Sequence, residues 1–140
     1  MVPVMDKAAL EAFLAREFPQ VRDDFVIEEV APMAVRVRMV VAERHLRPGG
    51  TVSGPSMFAL ADVGIYLAIL AMIGPKALAV TTNCSIDFMR KPAFGRDLIC
   101  EARLLKLGRV LAVGDALIFS DGMEGAVARA GLTYSIPPTG

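Results

Sequence analysis

One acidic residue, Asp62, stands alone in the run from 57 to 73, which is otherwise uncharged and largely apolar. An ionised carboxylate withdrawn from water is costly unless it is paired or hydrogen-bonded. A titratable group kept in such surroundings is suited to accepting a proton or attacking a carbon centre. Just upstream, Ser53-Gly54-Pro55 has the makeup of a helix start. Proline suits the first helical position, and serine or glycine suits the cap. The first N–H groups of a helix are free, and its dipole favours negative charge there. Gly54 also lets a ligand approach that backbone closely. A candidate base or nucleophile and a candidate anion-binding amide therefore share one stretch. Each has a plainer alternative: Asp62 as a structural carboxylate paired with a neighbour, and Gly54 as an ordinary cap.

The elements around this stretch follow from hydrophobic period. In 57–73 the apolar residues fall on every side of a helical wheel, which predicts a helix buried all round. Gly74-Pro75 stops it. At 17 residues with an aspartate inside, the run is a poor membrane span. In the N-terminal segment 1–20, residues 6–17 pattern as a short amphipathic helix with Leu10, Phe13 and Leu14 on one face. Strands are predicted at 25–30 and 33–41, the second with Val35, Val37 and Met39 opposite Arg36 and Arg38. A Gly- and Pro-rich loop then leads into a central helix over 53–73. Beyond it, strands at 78–89, 97–107, 110–120 and 126–136 are separated by glycine turns. Short antiparallel strands bury a helix that is apolar on every side only by curling around it. The expectation is a single α+β domain over 1–140, with a long central helix wrapped by a curved antiparallel sheet.

Lys plus Arg equals Asp plus Glu at fifteen each, so no net field favours nucleic acid or an anionic membrane. The hydrophobic share of 54% exceeds that of an ordinary globular chain and predicts burial against another subunit. Cys84 and Cys100 form neither a disulfide framework nor a metal spacing, and read as reduced core residues of a cytoplasmic protein. His45, the one histidine, lies in a loop and is expected to be solvated. No metal site is expected.

The element order and the 53–62 segment resemble the hotdog-fold acyl-CoA thioesterases of the phenylacetate-degradation (PaaI-like) type. Ser53-Gly54-Pro55 stands where that family has His-Gly-Gly, and Asp62 stands where it has its acid. Ile86-Asp87-Phe88-Met89-Arg90-Lys91-Pro92 and Gly95-Arg96-Asp97-Leu98 continue the likeness, which spans about 25–136. The resemblance implies hydrolysis of an acyl-CoA to free acid and CoA. Asp62 would be general base or nucleophile, and the Gly54 N–H would hold the thioester oxygen. It implies no cofactor, coenzyme A being part of the substrate. By position, Ser53, Arg47 (where several members have Asn) and Thr81 join the substrate site. Asn83 shares a polar row with Thr81, Ser85 and Asp87; it is taken with Thr81, whereas Ser85 and Asp87 read as a solvated strand face. Arg90, Lys91, Lys106 and Arg109 lie near turns and could receive CoA phosphates.

Gly54 and Asp62 are eight residues apart, roughly 12 Å along one helix. Both cannot reach one carbonyl. If that chemistry holds, Gly54 of one subunit must meet Asp62 of another across a two-fold axis, so at least a homodimer is expected. The resemblance to the family extends that expectation to a homotetramer. The alternative is a hotdog protein that binds acyl-CoA or another thioester without turnover, which the changes at Ser53 and Arg47 favour. A hydratase of the same fold would pair a histidine with an acid, and His45 lies outside the helix.

Overall fold

The computed structural model describes residues 2–138. Helix α1 spans Lys7–Glu17, and the Asp6 side chain caps it by accepting from the Ala9 N–H at 2.9 Å. Strands β1 (Phe25–Ala31) and β2 (Ala34–Met39) follow, then helix α2 (Gly54–Ile73), and then β3 (Val80–Phe88), β4 (Leu98–Leu107), β5 (Leu111–Ser120) and β6 (Ala128–Ser135). The predicted order of elements is the observed one. All six strands form a single antiparallel sheet in the order β1-β2-β4-β5-β6-β3. This is the hotdog architecture, with α2 as the filling.

Alternation along the strands decides what faces α2. Val35, Val37 and Met39 on β2, and Leu98, Cys100, Ala102 and Leu104 on β4, turn inward and are buried. Gly64 allows the helix to sit this close: a Cβ there would lie 2.9 Å from Cys100 Sγ and 3.2 Å from Ala102 Cβ. From Gly64 to Met72 every residue of α2 is buried.

The first half of the helix departs from the expectation of burial on all sides. Pro55 and Phe58 are exposed, and Ala59, Asp62 and Val63 are only half-buried. These residues form one stripe that the chain's own sheet leaves uncovered, because β3, the strand beside it, is a sheet edge. By length and composition α2 could cross a membrane, but here it is the core of a wrapped domain.

The loop before α2 is more ordered than its composition suggests. Glu43–His45 forms a 3-10 turn, and Leu46 bridges to Val52. His45 is buried rather than solvated: its Nδ1 accepts from the Ala42 N–H at 2.9 Å, and Nε2 lies 3.5 Å from Asp24. Its carbonyl accepts from the Ser53 N–H at 2.8 Å, so this histidine fixes where α2 begins.

Candidate active site

Asp62 projects from the uncovered stripe of α2 into a cavity of about 270 Å³. Aromatic rings (Phe18, Tyr66 and Tyr134) and the apolar side chains of Leu14 and Val21 line most of it. One carboxylate oxygen is held by two hydroxyls: Thr81 Oγ1 donates to Oδ1 at 2.5 Å and Tyr134 Oη donates to it at 2.6 Å. Tyr134 Oη is also 3.0 Å from the Asp62 carbonyl oxygen. Among the described residues Oδ2 has no hydrogen-bond partner. Burial, followed by the hydrogen bond from its hydroxyl to Asp62, pushes the Tyr134 phenol well above the ordinary tyrosine range, so it stays protonated and donates. Tyr66 is pushed up to about 12, chiefly by burial, and donates to the Ala77 carbonyl at 2.9 Å.

The sheet explains how two hydroxyls reach one oxygen. Thr81 pairs directly with Tyr134 across β3 and β6, and paired residues face the same side. Between Thr81 and Asn83 the ladder carries a bulge, which switches the parity of the strand. Thr81 points to α2, whereas Asn83 pairs with Thr133 on the outer face, together with Ser85 and Asp87. The polar row 81-83-85-87 is therefore broken, and Asn83 lies on the face opposite Asp62.

A second, open groove of about 410 Å³ lies at the start of α2. Arg47, Gly54, Phe88, Arg90 and Lys91 line it. Ser53 is the N-cap, and its side chain accepts from the Ser56 N–H at 3.2 Å. The Gly54 N–H has no hydrogen-bond partner among the described residues. The structure thus brings Arg47, Gly54, Arg90 and Lys91 together at the start of α2, and Asp62 with Thr81 at a separate cavity. Arg90 already donates to the Ala126 carbonyl at 3.0 Å. Lys106 and Arg109 are not in either group: they lie at the β4–β5 turn, at the opposite end of the sheet from Phe88.

Sequence reasoning did not single out Tyr134 as part of the site. The available signal was that Leu132, Tyr134 and Ile136 alternate onto the core side. A tyrosine buried that way must find an acceptor for its hydroxyl, and the lone carboxylate of α2 is an obvious candidate.

Comparison with known proteins agrees with this fold. The family model described as the Thioesterase superfamily matches residues 49–127, more than half of the chain. Acyl-coenzyme A thioesterase 13 of Homo sapiens is 31% identical over 98 residues, which are 70% of this chain and 69% of that protein. A crystal structure of a candidate thioesterase from Silicibacter sp. TM1040 superposes with a TM-score of 0.93 at 62% identity, covering 99% of this chain and 96% of that one. The phenylacetic acid degradation protein PaaI of Thermus thermophilus, solved as a mutant, gives 0.72 at 26% identity over 85% of this chain and 99% of its own. On the strength of the family match, and of a long central helix wrapped by a curled antiparallel sheet, this chain belongs to the thioesterase superfamily.

Proposed function

We propose that this protein hydrolyses acyl-CoA thioesters to a free acid and coenzyme A, in sites that two copies of the chain build together. The supporting observation is the division of the chemistry along α2. Asp62, with one oxygen held and one open, faces one cavity, and the unpartnered Gly54 amide faces another.

Edge strand β3 supplies the way to join them. It has an unpaired side, with Val80 and Phe88 exposed at its ends. Two such edges related by a two-fold axis run antiparallel. The Thr81 end of one then adjoins the Phe88 end of the other, which carries the Gly54 groove toward Asp62 of its neighbour. The same contact covers the exposed stripe of α2.

As general base, Asp62 Oδ2 takes a proton from water, and the resulting hydroxide adds to the thioester carbonyl. The oxyanion accepts from the partner's Gly54 N–H at a helix N-terminus. Collapse breaks the C–S bond, and the proton held by Asp62 passes to the departing thiolate. As nucleophile, Asp62 would form a mixed anhydride that water then opens. Arg47 and Lys91, exposed beside the amide, suit the phosphates of CoA.

Thiol release from a panel of acyl-CoAs tests this. Asp62→Asn is expected to lower kcat by about 100- to 10,000-fold, the range for loss of a general base, while the thermal midpoint stays close to that of the parent. Unchanged turnover in Asp62→Asn removes the mechanism. A second reading, thioester binding without turnover, draws on Ser53, whose hydroxyl is engaged in capping. A thermal shift on adding acyl-CoA, with no thiol released, would favour it.

A further inference from the structure

We propose that Tyr134 is a positioning residue for Asp62: with Thr81 it locks Oδ1, so that Oδ2 is the oxygen presented to the reacting centre. The catalytic consequence rests on the hydrolase reading above, whereas the lock stands on geometry alone.

A carboxylate on a helix rotates easily about its terminal bond, and either oxygen can then face a substrate. Here two donors from a directly paired couple of strand residues converge on the same oxygen, at 2.5 and 2.6 Å. The second contact of Tyr134 Oη, to the Asp62 carbonyl at 3.0 Å, ties the hydroxyl to the helix as well as to the side chain. Its ring is held in turn. Tyr66 packs against it at 6.2 Å between centroids, and Tyr66 is anchored to the Ala77 carbonyl. Tyr134 is 2% exposed, so the donor is buried, and it is held at both its ring and its hydroxyl. A donor held in this way on one oxygen removes rotational freedom before substrate arrives, which is the kind of pre-organisation that raises turnover without adding affinity. A purely structural tyrosine would need only the carbonyl contact. The shorter bond to the carboxylate, made alongside Thr81 to the same oxygen, is what leaves Oδ2 as the open one.

The test uses Tyr134→Phe and Thr81→Val in the full chain. Each is assayed for kcat and KM, and each is labelled with 4-¹³C-aspartate for infrared spectroscopy without substrate. Asp62→Asn identifies the Asp62 carboxylate band by difference. Each variant is expected to lose about 10- to 100-fold in kcat, the worth of one hydrogen bond to a charged group, with KM within about twofold of the parent. The Asp62 antisymmetric stretch is expected to shift in both. A kcat for Tyr134→Phe within about twofold of the parent overturns the proposal, since uniform or structural effects leave the chemical step alone. An unshifted band overturns it equally. If the parent protein releases no thiol from any acyl-CoA, the hydrolase reading fails, and the band alone then decides whether the lock exists. Should Tyr134→Phe fold poorly, Thr81→Val carries the same two readouts through the other donor.

Discussion

Ser53 shows how one residue can be chemically suggestive and mechanically committed. It stands where the resembling family has histidine, which makes it a candidate for contact with substrate. Its Oγ lies 3.0 Å from Ser56 Oγ and accepts from the Ser56 N–H at 3.2 Å, both inside the first turn of α2. That is an N-cap, and removing one costs about 1 kcal/mol. Ser53→Ala is therefore expected to lower the unfolding free energy by about that amount, read as a lower urea midpoint at an unchanged m-value. KM for acyl-CoA should stay within about twofold, because uniform binding is untouched. A several-fold rise in KM without loss of stability would return Ser53 to the substrate site. At this scale the sequence was most legible where one residue type contradicted its neighbours: Asp62 in an apolar run, and Gly54 before proline. Tyr134 and His45 were illegible for the opposite reason. Each satisfies a buried polar group through a partner distant in sequence or through local backbone, and neither leaves a spacing that announces it.

The elements were legible because period decides them, and their departures come from paired strands acting together. The alternation of β2 gave its inward face correctly, since the strand is regular where it meets α2. On β3 the bulge between Thr81 and Asn83 shifts the parity, and no residue type there marks it. The outer face of the sheet carries a further feature of the elements jointly. Arg38 on β2 bonds Glu28 at 2.7 Å, Asp121 at 2.8 Å and Asp97 at 3.2 Å, so one guanidinium ties β1, β2 and the two turns bordering β4 and β5. Arg38 is raised above the ordinary arginine range by those carboxylates, with Asp121 first, and stays charged throughout. Asp121 is held below its usual 3.8, chiefly by its hydrogen bond to Arg38. A carboxylate depressed on folding stabilises the fold above its unfolded pKa, and that contribution is lost as pH falls through the folded value. The stability gap between the parent and Arg38→Met is therefore expected to be full at neutral pH and to narrow below the 3.8 at which Asp121 would ordinarily titrate. Thermal midpoints from about pH 7 down to about 2.5 check it, and a gap that widens in acid contradicts the sign.

For the whole molecule, the decisive quantity is the length of α2 between Gly54 and Asp62. The sequence already contained it, as eight residues of one helix, and the fold adds where each end faces: a groove at one end, a cavity in the middle, and an unpaired strand edge beside both. If every active site takes its acid from one copy and its amide from another, two different inactive variants must rescue each other. Asp62→Asn removes the acid. Gly54→Pro removes the amide hydrogen at the first helical position, after a Ser53 whose ψ of 156° already suits a following proline. Residue 54 also precedes Pro55, which disfavours a helical residue with a Cβ there, so the fold of this variant is verified before it is mixed. The new Cβ would stand 3.2 Å from the Phe88 ring, which must give by a few tenths of an ångström, so the mass and thermal midpoint of Gly54→Pro are checked first. In a mixed dimer, one site then joins an intact Asp62 to an intact Gly54, and the other carries both lesions. Random assortment makes half of the dimers mixed with half of their sites whole, so co-expressed variants are expected to regain about a quarter of the parental thiol release from two inactive parents. Were both groups to act within one chain, every chain in the mixture would still carry a lesion and no activity would return. Recovery near a quarter, in material whose mass by light scattering is at least that of a dimer, is the result expected if two copies of the chain bridge that eight-residue separation.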